Sequence, residues 1–176
     1  MTNQDDFAEY FAARQVTLRR TAYLLCGDRH WAEDLTQQTF ISLAAGWHRL
    51  RDPSAVDAYA RTCLVRTYLR ESRRAFRRRE RVADQVPEPP GQEDQTDAVT
   101  RQMVFADALR QLPPRQRATL VCRFYQGLDV VATAAALRCS EGTVKSQTAR
   151  GLQALRAALR ATDEELSLLI PAGDGR

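Results

Sequence analysis

Glycine and proline are scarce in this sequence, with 8 and 7 residues in a chain of 176, below the roughly 12% the pair makes up on average. Apolar residues return at three- and four-residue steps and no run alternates with a period of two, which sets aside an all-β fold. Long apolar runs are missing as well. Nothing approaches the roughly 18 consecutive apolar residues of a membrane-spanning helix. The opening MTNQDDFAEY has neither the basic nor the apolar region of a secretion signal. The expected product is soluble and cytoplasmic, without a membrane partner.

Cysteine is equally sparse. The four residues, at 26, 63, 122 and 139, form no CxxC pair. An even number leaves disulfide pairings open on paper, but in a cytosolic chain buried small hydrophobes are expected. Cys26 and His30 are spaced to share a helix face, yet two ligands do not make the four-ligand cage of a structural zinc site, so no metal is expected. No nucleophile–base pair, carboxylate pair or phosphate-cradling glycine loop is visible. The sequence therefore reads as no enzyme and as needing no cofactor.

Charge, by contrast, is plentiful and segregated. Residues 1–81 hold 15 arginines against 10 acids, residues 82–100 five acids and no base, and residues 101–160 ten bases against three acids. Residues 161–176 are net −3. Between Arg66 and Arg81 lie eight arginines with only Glu71 and Glu80 to offset them, a patch that repels itself unless an anion meets it. The acidic stretch carries three prolines, a glycine and almost no bulky apolar residue. Burial there cannot offset the entropy of ordering, so it reads as a flexible linker. The expected architecture is all-α, two small helical domains on a tether.

In the first domain, Phe7, Tyr10, Phe11, Val16, Leu18, Ala22 and Leu25 mark a helix ending near Gly27. A second begins near His30 and runs through AEDLTQQTFISLAAGW, with Ala32, Leu35, Thr39, Phe40, Leu43 and Trp47 on one side. Asp34, Gln37, Gln38 and Ser42 fall on other faces. A loop follows at the Asp-Pro pair. A third helix is expected over residues 55–81, with Ala58, Tyr59, Thr62, Cys63 and Val65 toward the core. Its arginine-rich end beside Trp47, Tyr59 and Tyr68 suits nucleic acid, since arginine binds phosphate bidentately and aromatic rings stack on unpaired bases.

In residues 101–160 a Pro-Pro break precedes a helix through Ala118, Leu120, Val121, Phe124 and Tyr125, ending at Gly127. Then come LDVVATAAAL, a short turn RCS, and EGTVKSQTARGLQALRAALR. Helix, short turn, longer helix is the helix-turn-helix pattern, whose second helix enters the major groove. Val144, Thr148, Leu152, Leu155 and Leu159 form one apolar stripe. Thr143, Ser146, Gln147 and Arg150 share another face, with the side-chain chemistry that reads base edges, and Lys145 flanks it where a phosphate would lie.

AEDLTQQTF resembles the polymerase-docking helix of sigma-70-type initiation factors. LPPRQRATLVCRFYQGLD and CSEGTVKSQTARGLQALR resemble their promoter-reading helix-turn-helix. With two domains and an acidic linker, the chain resembles the extracytoplasmic-function group over residues 7–160. The resemblance implies core-polymerase docking and −10 recognition by residues 1–81, a linker at 82–100, −35 recognition by 101–160, and a short acidic tail at 161–176. It implies that Asp34, Gln37 and Gln38 contact the polymerase clamp helices, and that the flap is a further polymerase contact. Arg49, Arg51, Asp52, Ser54, Arg61, Arg66, Arg70, Arg73 and Arg74 would meet the −10 element. Thr143, Lys145, Ser146, Gln147 and Arg150 would read the −35 element. The partners implied are bacterial RNA polymerase core and promoter DNA, with an anti-sigma factor as a further candidate.

The chain departs from the family pattern in three places. Arg66 stands where many relatives carry asparagine, Arg138 at a turn position that is often glycine, and Ala132 where an acid is common. The rival reading is a stand-alone helix-turn-helix regulator, which would leave AEDLTQQTF and the arginine helix idle.

Overall fold

The computed structural model describes residues 4–49, 53–81 and 97–169, with no strand among them. The elements are α1 (Gln4–Cys26), α2 (Arg29–Gly46), a 3-10 turn (Trp47–Arg49), α3 (Pro53–Arg81), α4 (Asp97–Arg110), α5 (Pro114–Leu120), a π-helical turn (Val121–Tyr125), α6 (Val130–Leu137) and α7 (Glu141–Leu169). The all-α expectation holds.

Helices α1, α2 and α3 pack as one bundle. Gly27 ends α1 at φ +71°, a left-handed conformation that residues with a Cβ adopt only at a cost. The next residue starts α2, because the Asp28 carboxylate accepts the Trp31 N–H at 2.6 Å. Ala32, Leu35, Thr36, Thr39, Phe40 and Leu43 are the buried face of α2, as its spacing predicts. Phe7 stands edge-on to Trp47 with ring centroids 5.1 Å apart, a geometry favoured by the ring quadrupoles. Tyr10 donates to Asp57 Oδ1 at 2.9 Å and Arg14 pairs with the other oxygen at 2.7 Å, tying α1 to α3.

Several expectations about facing are corrected. Phe11 and Val16 of α1 are exposed, as are Tyr59, Phe124 and Tyr125. In α3 the core stripe is Val56, Ala60, Leu64, Val65, Tyr68 and Leu69, while Ala58 points outward with Tyr59. The stripe is thus rotated from the one expected. Trp47 is 6% and Tyr68 1% exposed, so these two rings are core and cannot stack on bases. Cys26 and Cys122 are buried, Cys63 and Cys139 half-buried, and all four are free thiols.

The second half is built by its turn residues. Pro114 opens α5, where a missing N–H costs nothing. Asp129 caps α6 by accepting the Ala132 N–H at 2.7 Å. Arg138 closes α6 at φ 51°, and Ser140 Oγ accepts the Thr143 N–H at 3.1 Å to start α7. Val144 is fully buried, with Thr148, Leu152, Leu155 and Leu159 half-buried along the same stripe.

The two helical domains pack against each other. Their buried residues form one contiguous cluster in which Leu18, Leu24 and Leu25 join Leu109, Leu112 and Val121. A Cβ placed on Gly27 would lie 2.8 Å from Arg110 Cδ, so α4 runs hard against the end of α1. The hydrophobic period of a helix shows that a face is apolar; it does not show which domain covers it. Helix α4 starts at Asp97, inside the segment expected as linker, and α7 carries the acidic tail as far as Leu169. The rest of the expected linker, residues 82–96, lies outside the described residues.

Candidate nucleic-acid and polymerase interfaces

Burial of one face of α2 turns the other to solvent. Asp34, Gln37 and Gln38 are all exposed, and their three- and four-residue spacing places them side by side. One turn further on the same face stands Ile41, 68% exposed. The face is therefore an exposed apolar residue flanked by two amides and a carboxylate. Ile41 escaped the sequence reading, although its place one turn after Gln37 and Gln38 and two turns after Asp34 marks it.

The arginines of α3 are not equivalent. Arg70 and Arg74 both approach Glu71 Oε1, at 3.3 and 3.1 Å, and such exposed pairs exchange readily for other anions. Arg61 Nε donates to the Asp57 carbonyl one turn earlier at 3.2 Å. Arg49 sits in the 3-10 turn and donates to His48 Nε2 at 3.3 Å. Arg51 and Asp52 lie outside the described residues, as does the side chain of Ser54.

Arg66 points elsewhere. Its Nε donates to the Ala136 carbonyl at 2.9 Å and its Nη2 to the Ala135 carbonyl at 2.8 Å. Both acceptors are in the last turn of α6, the first helix of the helix-turn-helix. Arg73 faces a cavity of about 480 Å³ that it lines together with Phe76, Arg77, Arg115, Gln116 and Gln147.

On α7, Lys145, Ser146 and Arg150 are exposed, and Thr143 and Gln147 half-buried. Ser140 Oγ and Thr143 Oγ1 lie 2.9 Å apart, and Ser146 donates to the Thr143 carbonyl at 3.0 Å. The five residues expected to read DNA thus occupy the first turns of one helix, with Gln147 turned toward α3.

Two family models match the chain: sigma-70 region 2 over residues 11–81 and sigma-70 region 4 over residues 108–157. Over 158 residues the chain is 36% identical to the RNA polymerase sigma-E factor of Streptomyces coelicolor, covering 90% of this chain and 88% of that one. The chain belongs to the sigma-70 family, in its ECF group. It is also 32% identical over 152 residues to the ECF RNA polymerase sigma factor SigL of Mycobacterium tuberculosis, covering 81% and 82% of the two chains. Among solved structures, the sigma factor RpoE of Bartonella quintana in complex with the anti-sigma factor NepR is similar with a TM-score of 0.68 at 25% identity, covering 88% of this chain and 97% of that one. CnrH, in complex with the cytosolic domain of CnrY, shares the fold at a TM-score of 0.62 and 20% identity, over 90% of each chain.

As a sigma factor the protein directs promoter-specific initiation by RNA polymerase; sigma factors are not themselves enzymes in the catalytic sense. The helix-turn-helix read from the sequence is the region 4 match. Among the described residues no helix is long and apolar enough to cross a membrane.

Proposed function

We propose that residues 1–81 dock the polymerase clamp helices through Asp34, Gln37 and Gln38 around Ile41 and engage the −10 element through Arg49, Arg51, Asp52, Ser54 and the arginines of α3. Residues 101–160 engage the −35 element through Thr143, Lys145, Ser146, Gln147 and Arg150. The arginines supply phosphate contacts, which set affinity and register, while Gln147 and Arg150 supply base-edge contacts, which set sequence preference. Bond making stays with the polymerase, and the site of action is the cytoplasm.

One observation supports this reading: the solvent-facing side of α2 with Asp34, Gln37, Gln38 and Ile41, and the polar, basic start of α7, occur in one chain, the first inside the region 2 match and the second inside the region 4 match. A stand-alone regulator would have no use for the first.

For protein partners beyond the clamp, the apolar surface around Phe105, Phe124 and Tyr125 is the contact we assign to the polymerase flap. These rings border a groove of about 390 Å³ together with Leu109, Leu152 and Leu155. A cognate anti-sigma factor would compete for such surfaces, in keeping with the complexes in which RpoE of Bartonella quintana and CnrH are found.

The test is transcription from fragmented genomic DNA by core polymerase with and without the protein, followed by sequencing of the transcripts. Start sites sharing −35 and −10 elements are expected. Failure to co-purify with core, combined with tight operator binding by the free chain, would favour the regulator reading.

A further inference from the structure

Arg66 lies on α3 of the −10 domain, yet the Ala135 and Ala136 carbonyls to which it donates belong to the −35 domain. The last carbonyls of a helix lack intrahelical donors and carry the negative end of its dipole. At the end of α6, the Arg138 N–H serves Ala134 and Ala135, and the Cys139 N–H also reaches the Ala134 carbonyl, at 3.1 Å. Arg66 supplies a charged donor to Ala136 and a further one to Ala135. The guanidinium is half-buried in the process.

The consequence is geometric. By their nominal positions the −10 and −35 elements are centred about 25 base pairs apart, which at about 3.4 Å each is roughly 85 Å along the duplex. In this structure Arg66 touches α6 and Arg73 shares one cavity with Gln147. At Arg66, Arg73 and Gln147 the two proposed DNA-contacting faces meet, and so closely placed they cannot span the two elements until the domains part.

We propose that Arg66 is a latch: it holds the two domains closed by capping α6, and on opening it exchanges the Ala135 and Ala136 carbonyls for DNA phosphate at the −10 element. The exchange is chemically matched, since a guanidinium binds carbonyl and phosphate oxygens with the same planar N–H donors. It also makes closing and −10 binding mutually exclusive at a single side chain. This rests on the promoter-binding reading above only in its second half; the latch itself is a property of the free chain.

Two variants separate the halves. Arg66→Ala removes the latch and the phosphate contact together. Ala135 is exposed at the end of α6, so Ala135→Lys sets a like charge against Arg66 while leaving Arg66 available to DNA, and a lysine near a helix C-terminus does not harm the helix. Small-angle scattering of the free full-length chain should show a radius of gyration above the wild-type value in both variants, where a compact chain of 176 residues has roughly 16 Å. Wild-type radii in both variants would overturn the latch.

In run-off transcription with core polymerase, Ala135→Lys should initiate at least as well as wild type. Arg66→Ala should fall about tenfold for loss of a charge-assisted hydrogen bond. Equal initiation by Arg66→Ala and wild type would overturn the exchange. Absence of promoter-specific transcripts with the wild-type chain would sink the sigma-factor assignment of these surfaces, a result read independently of the scattering.

Discussion

The Arg117 guanidinium donates to the Leu25 carbonyl at 2.6 Å, joining α5 of the region 4 domain to the last turn of α1 in the region 2 domain. The same group donates to the Leu112 carbonyl at 3.0 Å and to the Arg110 carbonyl, and it lies 5.9 Å from the centre of the Tyr68 ring. Burial works against its charge, so its pKa is lowered from the ordinary value, with the π-face and hydroxyl of Tyr68 among the groups opposing that. An arginine stays protonated even so.

Removing this side chain leaves buried carbonyls at the ends of two helices without donors. Each unsatisfied acceptor costs about 1–3 kcal/mol, so Arg117→Ala should destabilise the chain by about 3 kcal/mol or more. Arg117→Lys should recover only part of this, because one ammonium cannot reach three separated carbonyls in the guanidinium's plane. Urea unfolding followed by circular dichroism measures both; a wild-type midpoint for Arg117→Ala would show that the interdomain contact does not form in solution.

Ile41 offers a second test. Burying an exposed isoleucine against a partner is worth about 1.5–3 kcal/mol, and on this face it sits beside the polar residues Gln37 and Gln38. Ile41→Ala should weaken core-polymerase binding by tenfold or more while leaving stability unchanged, since the side chain touches little of its own chain. Ile41→Glu should weaken it further by asking the interface to bury a charge. Titration of core with fluorescently labelled protein gives the affinities, and an unaltered affinity for both variants would place the docking surface elsewhere.

How much of this was legible in the sequence differs by element. The buried face of α2 is read correctly because its apolar residues fall on a single side. Helix α3 misleads: Tyr59 and Cys63 give it a second, weaker apolar face, and the sequence alone does not say that Leu64, Tyr68 and Leu69 win the core. Arg117 is missed for a different reason. Arginine is ordinarily a surface residue, and only the convergence of three carbonyls, from the ends of α1 and α4 and from the turn before α5, which no local pattern announces, makes its burial tolerable. Arg66 is expected from the sequence to meet the −10 element; in the structure it donates to a carbonyl 70 residues away, a contact that belongs to the packing of the domains and has no local signal. The start of α7 and the solvent-facing side that carries Lys145, Ser146 and Arg150 are legible because the RCS turn, the Ser140 cap and the spacing agree there.

The buried thiols predict a pH dependence. Burial pushes Cys26 up to about 11 and Cys122 up to about 12, against about 8.5 in an unfolded chain. Below the unfolded value both states keep the proton, and the contribution to stability is fully present. As pH rises past it, the unfolded chain sheds protons that the folded chain retains, so stability declines until pH passes the folded values, by up to about 1.4 kcal/mol per thiol per pH unit. The urea midpoint should therefore fall between about pH 8.5 and 10, before tyrosines titrate in the unfolded chain. The Cys26→Ala/Cys122→Ala double variant should be flatter over that window; parallel declines in the two proteins would assign the effect to other groups. Thiol reagents at neutral pH should modify Cys63 and Cys139 first, being the less buried pair.

The last prediction concerns the two ends of the chain in the working complex. On the proposed docking, Asp34→Arg replaces a hydrogen-bond acceptor with a longer, positively charged donor, and should abolish association with core while sparing the fold, because Asp34 is exposed. Gln147→Ala with Arg150→Ala removes base-edge contacts worth about 1–3 kcal/mol each where bidentate, and should collapse −35 discrimination with core association intact. In the free chain the two domains share a core, so distant changes there need not be independent. Once polymerase and promoter hold the domains apart, the sites share no partner, and their energies should add within about 0.5 kcal/mol. A weaker-docking variant such as Asp34→Asn makes that sum measurable where Asp34→Arg leaves no complex to assay. Core affinity and −35-dependent initiation are measured for Asp34→Asn, the double alanine variant and their combination. Additivity supports two separable interfaces joined by a tether in the holoenzyme; a large coupling between them would mean that the contacts between the domains seen here persist after polymerase binds.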